Sequence, residues 1–166
     1  MIQKCSLLEV LEVFFKEPTK IHFIREISRR IRLAPTSVRN HIGSLLKQEM
    51  IMRKKGDPFD GFVANRDAEK FRFYKRTYNL ASLFELKQLI QEDLAPKEIR
   101  IFGSYTRGED VENSDIDILI ISKVKKELEY KDLEKKLGRN LHSIVVSSFK
   151  ELESSLQENI VRGWVL

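Results

Sequence analysis

Residues 98–121 have the sequence EIRIFGSYTRGEDVENSDIDILII, and this stretch decides the fold of the second half of the chain. Its two ends are rich in isoleucine, which favours strands at 98–102 and 114–121. The first strand leads directly into Gly103 and Ser104. Gly103 lets the backbone approach a phosphate group, and amides at a helix start can donate hydrogen bonds to that phosphate. The pattern therefore predicts a phosphate-binding turn at the end of a strand.

The second strand carries carboxylates at alternate positions, Asp115 and Asp117. Because side chains alternate across a strand, both are expected on one face, with their oxygen atoms close together. Two carboxylates held side by side repel each other unless a divalent cation lies between them. The stretch thus predicts a magnesium site beside the phosphate-binding turn.

This arrangement is similar to the motif of the nucleotidyltransferase superfamily that includes DNA polymerase beta, in which Gly-Ser is followed after ten residues by Asp-x-Asp. It looks most like the minimal nucleotidyltransferases of prokaryotes, and the resemblance covers roughly residues 80–166. The resemblance implies Mg²⁺ and a nucleoside triphosphate, which we take to be ATP, as cofactors. The implied nucleotide-binding residues are Gly103, Ser104 and Arg107, and the implied catalytic and metal-binding residues are Asp115 and Asp117.

The same family places a third carboxylate on the next strand, facing the pair. Here that strand is expected at 141–146, after a helix at about 126–138, and the third position falls at His142 or Ser143. Neither residue is a carboxylate. Since the third carboxylate helps to bind metal and activates the attacking group, its absence weakens the case for catalysis more than the case for nucleotide binding. An alternative is that His142 serves as the base.

The first 66 residues predict a different kind of domain. Apolar residues at helical spacing predict helices over 5–16, from Phe23 to a point before Pro35, and from Pro35 onward. Two short apolar stretches, 50–55 and 62–64, flank a cluster of turn formers and predict a β-hairpin. Three helices followed by a basic hairpin are typical of a winged helix-turn-helix.

The sequence of residues 21–42 resembles that of winged-helix transcriptional regulators of the ArsR/MarR kind. The whole resemblance covers roughly residues 5–65. The resemblance implies that double-stranded DNA is a partner, with the third helix in the major groove and the hairpin on the phosphates. The residues expected in the groove are Thr36, Ser37, Arg39 and Asn40, and those expected on the phosphates are Lys54 and Lys55. The alternative is a module for protein contacts in which these charges are merely solvated.

The charge distribution favours the nucleic-acid hypothesis. The 166 residues carry a net charge of +5, but residues 1–80 hold 17 Lys+Arg against 9 Asp+Glu, whereas residues 81–166 hold 13 against 16. A basic half joined to a mildly acidic half suggests two domains with different partners. Chance and lysine-rich solvated faces would give the same balance.

Composition excludes several other classes of protein. The single cysteine, Cys5, excludes an internal disulfide framework and a cysteine-based zinc finger. No apolar run approaches the ~20 residues needed to cross a bilayer, so we expect no membrane partner. The expected location is the cytoplasm.

The segment 67–80 carries aromatic residues interleaved with lysine and arginine. It is interpreted as a connecting helix that packs between the domains or across the axis of a homodimer. The alternative is a platform on which single-stranded bases stack. The aromatic residues of this segment are Phe71, Phe73, Tyr74 and Tyr78.

The sequence therefore predicts an α+β protein with a winged helix-turn-helix at 1–66, a connecting helix at 67–80, and a nucleotidyltransferase domain at 81–166 with a small mixed sheet flanked by helices. The leading hypothesis is a transcriptional regulator whose second domain binds nucleotide and is of doubtful catalytic competence. The alternative is an active enzyme that adenylylates a protein acceptor, as antitoxin-type relatives do, with the winged helix as a targeting device. A third hypothesis is an inactive domain that only dimerises the DNA-binding part.

Overall fold

The computed structural model of the chain describes residues 5–56, 58–124, 126 and 128–166. The chain divides into two compact units, Met1–Lys75 and Arg76–Leu166, which we call unit 1 and unit 2. None of the helices in the described ranges combines the length and the apolar character that a membrane span requires.

Unit 1 consists of three helices followed by a small antiparallel sheet. Its elements are α1 (Ser6–Lys16), α2 (Ile24–Ile31), α3 (Pro35–Lys47), β1 (Ile51–Lys54) and β2 (Gly61–Ala64). The two strands pair with Ile51 opposite Ala64 and Lys54 opposite Gly61. The predicted helices and hairpin are therefore present, although residue 57 of the predicted turn lies outside the described residues.

The core of unit 1 forms where the helical apolar stripes meet. Phe14 of α1, Ile27 of α2 and Ile42 of α3 are all buried. The second helix was predicted from Phe23, but Phe23 precedes α2 in extended conformation and is 40% exposed. The Nζ atom of Lys75 is buried and donates to the Phe15 carbonyl oxygen at 3.0 Å, near the end of α1.

Helix α4 (Glu69–Ser82) occupies the segment where the sequence predicts a connecting helix, and the boundary between the two units falls inside it. Its aromatic residues differ in burial: Phe71 is buried, whereas Phe73 and Tyr74 are exposed. Homodimer formation through this segment stays a prediction.

Unit 2 contains the remaining α-helices and strands, together with one turn of 3-10 helix at Phe149–Glu151. The α-helices and strands are α5 (Phe84–Leu94), β3 (Glu98–Phe102), α6 (Ser104–Arg107), β4 (Ile116–Ile121), α7 (Lys131–Leu137), β5 (Leu141–Val146), α8 (Ser154–Val161) and β6 (Trp164–Val165). Strand β4 starts two residues later than predicted, so Asp115 precedes it. Helix α7 is shorter than the predicted helix at about 126–138, of which residue 127 lies outside the described residues. Helix α8 was not predicted.

The four strands of unit 2 form one mixed sheet in the order β5-β4-β3-β6. Strand β3 is antiparallel to β4 and β6, whereas β5 is parallel to β4. The end of β3 therefore lies at the same edge of the sheet as the starts of β4 and β5. The predicted class, α+β with a small mixed sheet, is confirmed.

Helices cover both faces of this sheet, and alternate residues of β4 serve the two faces. Ile116 and Ile118 belong to a buried cluster with the apolar residues of α5. Leu119 and Ile121 belong to a second cluster that includes residues of α8. Because side chains alternate along a strand, Asp117 lies on the face of the second cluster.

Candidate functional site

The turn after β3 requires glycine for two independent reasons. Gly103 has φ 80° and ψ −158°, a conformation that residues with a Cβ atom rarely adopt. A Cβ atom at this position would also lie 2.5 Å from Oδ2 of Asp117. The close approach of the turn to the carboxylate therefore depends on the missing side chain.

The turn is closed by hydrogen bonds that hold the start of α6 in place. Oγ1 of Thr106 donates to the carbonyl oxygen of Gly103 at 2.9 Å, and the amide of Glu109 donates to that of Ser104 at 3.0 Å. The first amides of a helix have no partner inside that helix, so they are available to an external acceptor. Arg107, at the end of α6, is exposed and forms an ion pair with Glu109 at 2.7 Å.

The two aspartates are positioned by different means. Asp117 is half-buried on β4, opposite Phe102 of β3, so the pleat of the sheet directs its side chain. Asp115 lies just outside the strand and is exposed, and its Oδ1 accepts a hydrogen bond from Nδ2 of Asn140 at 3.1 Å. The contribution of Asn140 was missed from the sequence, since nothing in the chain order relates it to Asp115.

The register of β5 decides which residue faces the aspartates. In the parallel pairing His142 lies opposite Asp117 and Ser143 lies opposite Ile118. Residues opposite each other in a sheet point to the same face, so His142 shares the face of Asp117 and Ser143 does not. Nδ1 of His142 lies 3.3 Å from Oδ1 of Asp117. Of the two residues at which the sequence places the third position, the structure therefore selects His142.

A buried polar network, which was not predicted from the sequence, fixes the loop between the turn and the aspartates. Asp110 is 1% exposed, and its two carboxylate oxygens accept hydrogen bonds from Nδ2 of Asn79 at 2.8 Å and from Nη2 of Arg139 at 3.3 Å. Asn79 also donates to the carbonyl oxygen of Tyr105 at 2.8 Å, inside α6. The Tyr105 hydroxyl is hydrogen-bonded to Ser82, and burial raises its pKa to about 12, so the hydroxyl stays neutral. Buried charged and amide groups need hydrogen-bond partners, and these side chains find them only in the arrangement described. Their hydrogen bonds therefore hold the loop in place.

The protein supplies only part of a metal coordination sphere at this site. Within the described ranges there is no group of three or more His, Cys, Asp or Glu residues placed to hold a metal ion. Two carboxylates are nevertheless the hard oxygen donors that Mg²⁺ prefers, and Mg²⁺ is commonly held by one or two carboxylates together with substrate phosphates. The close approach of Gly103 to Oδ2 of Asp117 leaves no side chain between that oxygen and a phosphate on the turn. The residues present therefore fit a cation that arrives with a triphosphate.

The candidate DNA-binding residues lie on unit 1, on the elements expected to carry them. Thr36, Arg39 and Asn40 are exposed on α3, whereas Ser37 is half-buried. Lys54 ends β1, Lys55 follows it, and both are exposed. Their role in DNA binding stays a prediction.

Comparison with known proteins identifies the family. A family model described as a nucleotidyltransferase domain matches residues 83–163. The protein adenylyltransferase MntA of Thermococcus cleftensis is 36% identical over 81 residues, which cover 46% of this chain and 79% of that protein. The chain belongs to the nucleotidyltransferase family. A second relative, a putative protein adenylyltransferase of Methanocaldococcus jannaschii, is 33% identical over 86 residues, covering 45% of this chain and 84% of that protein. No solved structure gives a significant match.

The nucleotidyltransferase match begins just after α4 and includes the turn, the aspartates and β5. The resemblance noted for the second half of the chain is therefore confirmed. Residues 1–82 lie outside the nucleotidyltransferase match, so the winged-helix interpretation of the first half does not follow from it.

Proposed function

We propose that the chain transfers a nucleotidyl group from ATP to a hydroxyl group of a protein. Two relatives that the chain covers over most of their length are named as protein adenylyltransferases, one of them putatively. The observation that carries the proposal is the position of Asp117, whose Oδ2 lies directly against the Gly103 turn. These findings favour the alternative drawn from the sequence over the leading hypothesis of a DNA-binding regulator.

The turn would hold the phosphates of the nucleotide. Gly103 allows close approach, and the first amides of α6 point out of the helix, where they can donate to phosphate oxygens. The Ser104 hydroxyl lies at the same position in the turn and is half-buried. The ion pair between Arg107 and Glu109 is exposed at both ends, so Arg107 can exchange it for a phosphate at small cost.

The aspartates would hold Mg²⁺ together with the triphosphate. Bound there, Mg²⁺ supplies charge neutralisation and polarises the phosphoryl group that is transferred. Asp115 and Asp117 lie one strand away from the phosphate turn, because β3 and β4 are neighbours and Phe102 lies opposite Asp117. In this proposal the carboxylates lie beside the phosphates, and the acceptor approaches from the β5 side, where the His142 side chain is exposed.

In the reaction the acceptor oxygen forms a bond to the α-phosphorus, and the bond from that phosphorus to the oxygen that bridges to the β-phosphate breaks. Pyrophosphate leaves with the electron pair of the broken bond, and the acceptor hydroxyl gives its proton to solvent water. A carboxylate at the position of His142 would take that proton in other members of the family. Since general-base assistance is worth about 10²–10⁴-fold, transfer by this chain is expected to be slow.

The test is label transfer from ATP carrying radioactive phosphorus at the α position, with heat-inactivated cell extract and the chain itself as acceptors. We expect protein to become labelled from α-labelled ATP but not from γ-labelled ATP, and only when Mg²⁺ is present. Asp117→Asn should abolish the signal, whereas Asp132→Asn, at an exposed aspartate of α7, should leave it unchanged. Failure of the chain to bind ATP would refute the proposal.

A second function, binding of double-stranded DNA by unit 1, is favoured by a separate observation. Helix α3 exposes Arg39 and Asn40, whose side chains can pair with guanine and adenine edges, and the hairpin exposes Lys54 and Lys55. We propose that unit 1 is a winged helix-turn-helix that uses these side chains on duplex DNA. The full chain should then retain a random-sequence duplex in low salt and release it steeply as salt rises, because phosphate neutralisation releases counterions. Absence of salt-dependent retention would contradict this proposal and leave the first unaffected.

A further inference from the structure

Two nitrogen-bearing side chains lie against the two aspartates: that of Asn140, which directly precedes β5, and that of His142 within β5. Nδ2 of Asn140 donates to Oδ1 of Asp115 at 3.1 Å, and Nδ1 of His142 lies 3.3 Å from Oδ1 of Asp117. His142 is paired with Asp117, and Asn140 and Asp115 are the residues just before the first pair of the two strands, Leu141 and Ile116. The arrangement is a regular product of the register, not a single chance contact.

The two oxygens of Asp117 consequently face in different directions. Oδ1 faces His142 on the β5 side, and Oδ2 lies against the Gly103 turn on the β3 side. Asp115 likewise has its Oδ1 engaged by Asn140. Oδ2 of each aspartate is the oxygen that these two contacts do not use, and that of Asp117 lies on the side of the Gly103 turn.

We propose that Asn140 and His142 are positioning residues, which hold Oδ1 of Asp115 and of Asp117 so that the other two oxygens bind a single divalent cation together with the triphosphate. This inference rests on the nucleotidyl transfer proposed above. Two-metal sites need carboxylates that serve both ions, and here one oxygen of each aspartate already contacts a side-chain nitrogen. Partners of this kind orient metal ligands, and their removal typically costs 10–100-fold in metal affinity.

The fold does not depend on either side chain, which makes the inference testable by substitution. Asn140 is exposed, and the His142 side chain is 64% exposed. The link between β5 and β4 at this edge is made by main chain, with the Ile116 amide donating to the Asn140 carbonyl oxygen at 2.9 Å. Removal of the two side chains should therefore leave the sheet intact.

The experiment measures Mn²⁺ retained by the full chain in equilibrium dialysis with α,β-methylene-ATP, a nucleotide that cannot be turned over at the α-phosphate. The wild type should retain one Mn²⁺ per chain. Asn140→Ala and His142→Ala should each weaken Mn²⁺ binding by about tenfold or more. His142→Asn, which keeps an amide nitrogen near the position of Nδ1, should bind almost as tightly as the wild type. Asn113→Ala is the matched control and should have no effect, because Asn113 is exposed in the loop between α6 and β4.

A second set of variants tests whether an added carboxylate creates a second metal site. His142→Asp adds a carboxylate on the face of Asp117 and should raise the retained Mn²⁺ to two per chain, whereas Asn113→Asp adds the same charge on the loop and should leave it at one. Two Mn²⁺ in the wild type, or unchanged affinity in both alanine variants, would overturn the inference while leaving nucleotidyl transfer standing. Failure of the wild type to bind the nucleotide would overturn both.

Discussion

The two units present their candidate ligand-binding groups in different ways. In unit 1, Arg39 and Lys54 are exposed on a helix and a hairpin whose core is formed by other residues. In unit 2, the candidate phosphate site is made of backbone geometry, with Gly103 at φ 80° and Asp117 against it. A sequence motif is strong evidence for a function when that function requires an unusual backbone conformation, because few sequences can adopt it. Exposed charged side chains require no particular backbone conformation, so they do not identify the molecule that binds to them.

The largest effect is expected from loss of the carboxylates in unit 2. Asp117→Ala or Asp115→Ala should abolish Mg²⁺-dependent binding of ATP, because no third acidic ligand in the described ranges can compensate. Isothermal titration with ATP, in the presence and absence of Mg²⁺, measures this. Retained Mg²⁺-dependent affinity in both variants would show that the site lies elsewhere.

The next effect tests whether the register of β5 is as the structure has it. His142→Asp should raise the rate of label transfer toward the 10²–10⁴-fold that a general base contributes. Ser143→Asp should not raise it, because that side chain points to the opposite face, where its neighbours Leu141 and Val145 pack on the α5 cluster. Circular dichroism of both variants shows whether they fold. A faster Ser143→Asp enzyme would contradict the register.

A smaller effect separates backbone strain from close approach at the turn. Gly103→Ala and Gly138→Ala both place alanine at positive φ, which costs about 1–2 kcal/mol of stability in the left-handed conformation of Gly138 and about 1–3 kcal/mol in the conformation of Gly103, φ 80° and ψ −158°. Only at Gly103 does the new Cβ atom displace Asp117, since nothing lies within 4 Å of the corresponding position at Gly138. Thermal unfolding should therefore fall in both variants, and affinity for Mg²⁺ and ATP should fall only in Gly103→Ala. Equal ATP affinities in the two variants would show that the approach of Gly103 to Asp117 has no role in binding.

The smallest effects are expected from substitutions in unit 1, where each proposed DNA-binding side chain contributes its own separate contact. Arg39→Ala should cost about 1–3 kcal/mol at one base position, whereas Lys54→Ala should weaken binding to all sequences alike and lower the salt slope by about one. Competition binding with a panel of duplexes at several salt concentrations distinguishes the two patterns. Identical patterns for both variants would mean that Arg39 does not contact a base edge.

The sequence predicted the elements of the site well wherever local chemistry decides them. The bounds of β3 and β5 agree with expectation, because both strands are short apolar runs closed by turn formers or glycine. Strand β4 starts later than expected because Ser114 belongs to a turn, in which its Oγ accepts a hydrogen bond from the Val111 amide at 2.9 Å. Helix α8 was missed because only two of its residues, Leu156 and Ile160, are partly or fully buried apolar anchors.

Contacts of the site between residues far apart in the chain could not be predicted from the sequence. The choice between His142 and Ser143 depends on the pairing of β5 with β4, and a shift of one residue would exchange their faces. The contact of Asn140 with Asp115 and the burial of Asp110 against Arg139 likewise join residues about 25 to 30 positions apart. No periodicity or local propensity encodes such distances.

The exposure of His142 beside Asp117 has a genetic consequence. Histidine and aspartate codons differ only in their first base, so one transversion at this position would restore an acidic residue opposite Asp117 without disturbing any packed side chain. Asparagine and aspartate codons also differ only in their first base, so one transition would convert Asn140 to aspartate. A lineage carrying this domain could therefore change its catalytic rate and its demand for metal in a single mutational step, in either direction, while the fold is inherited unaltered.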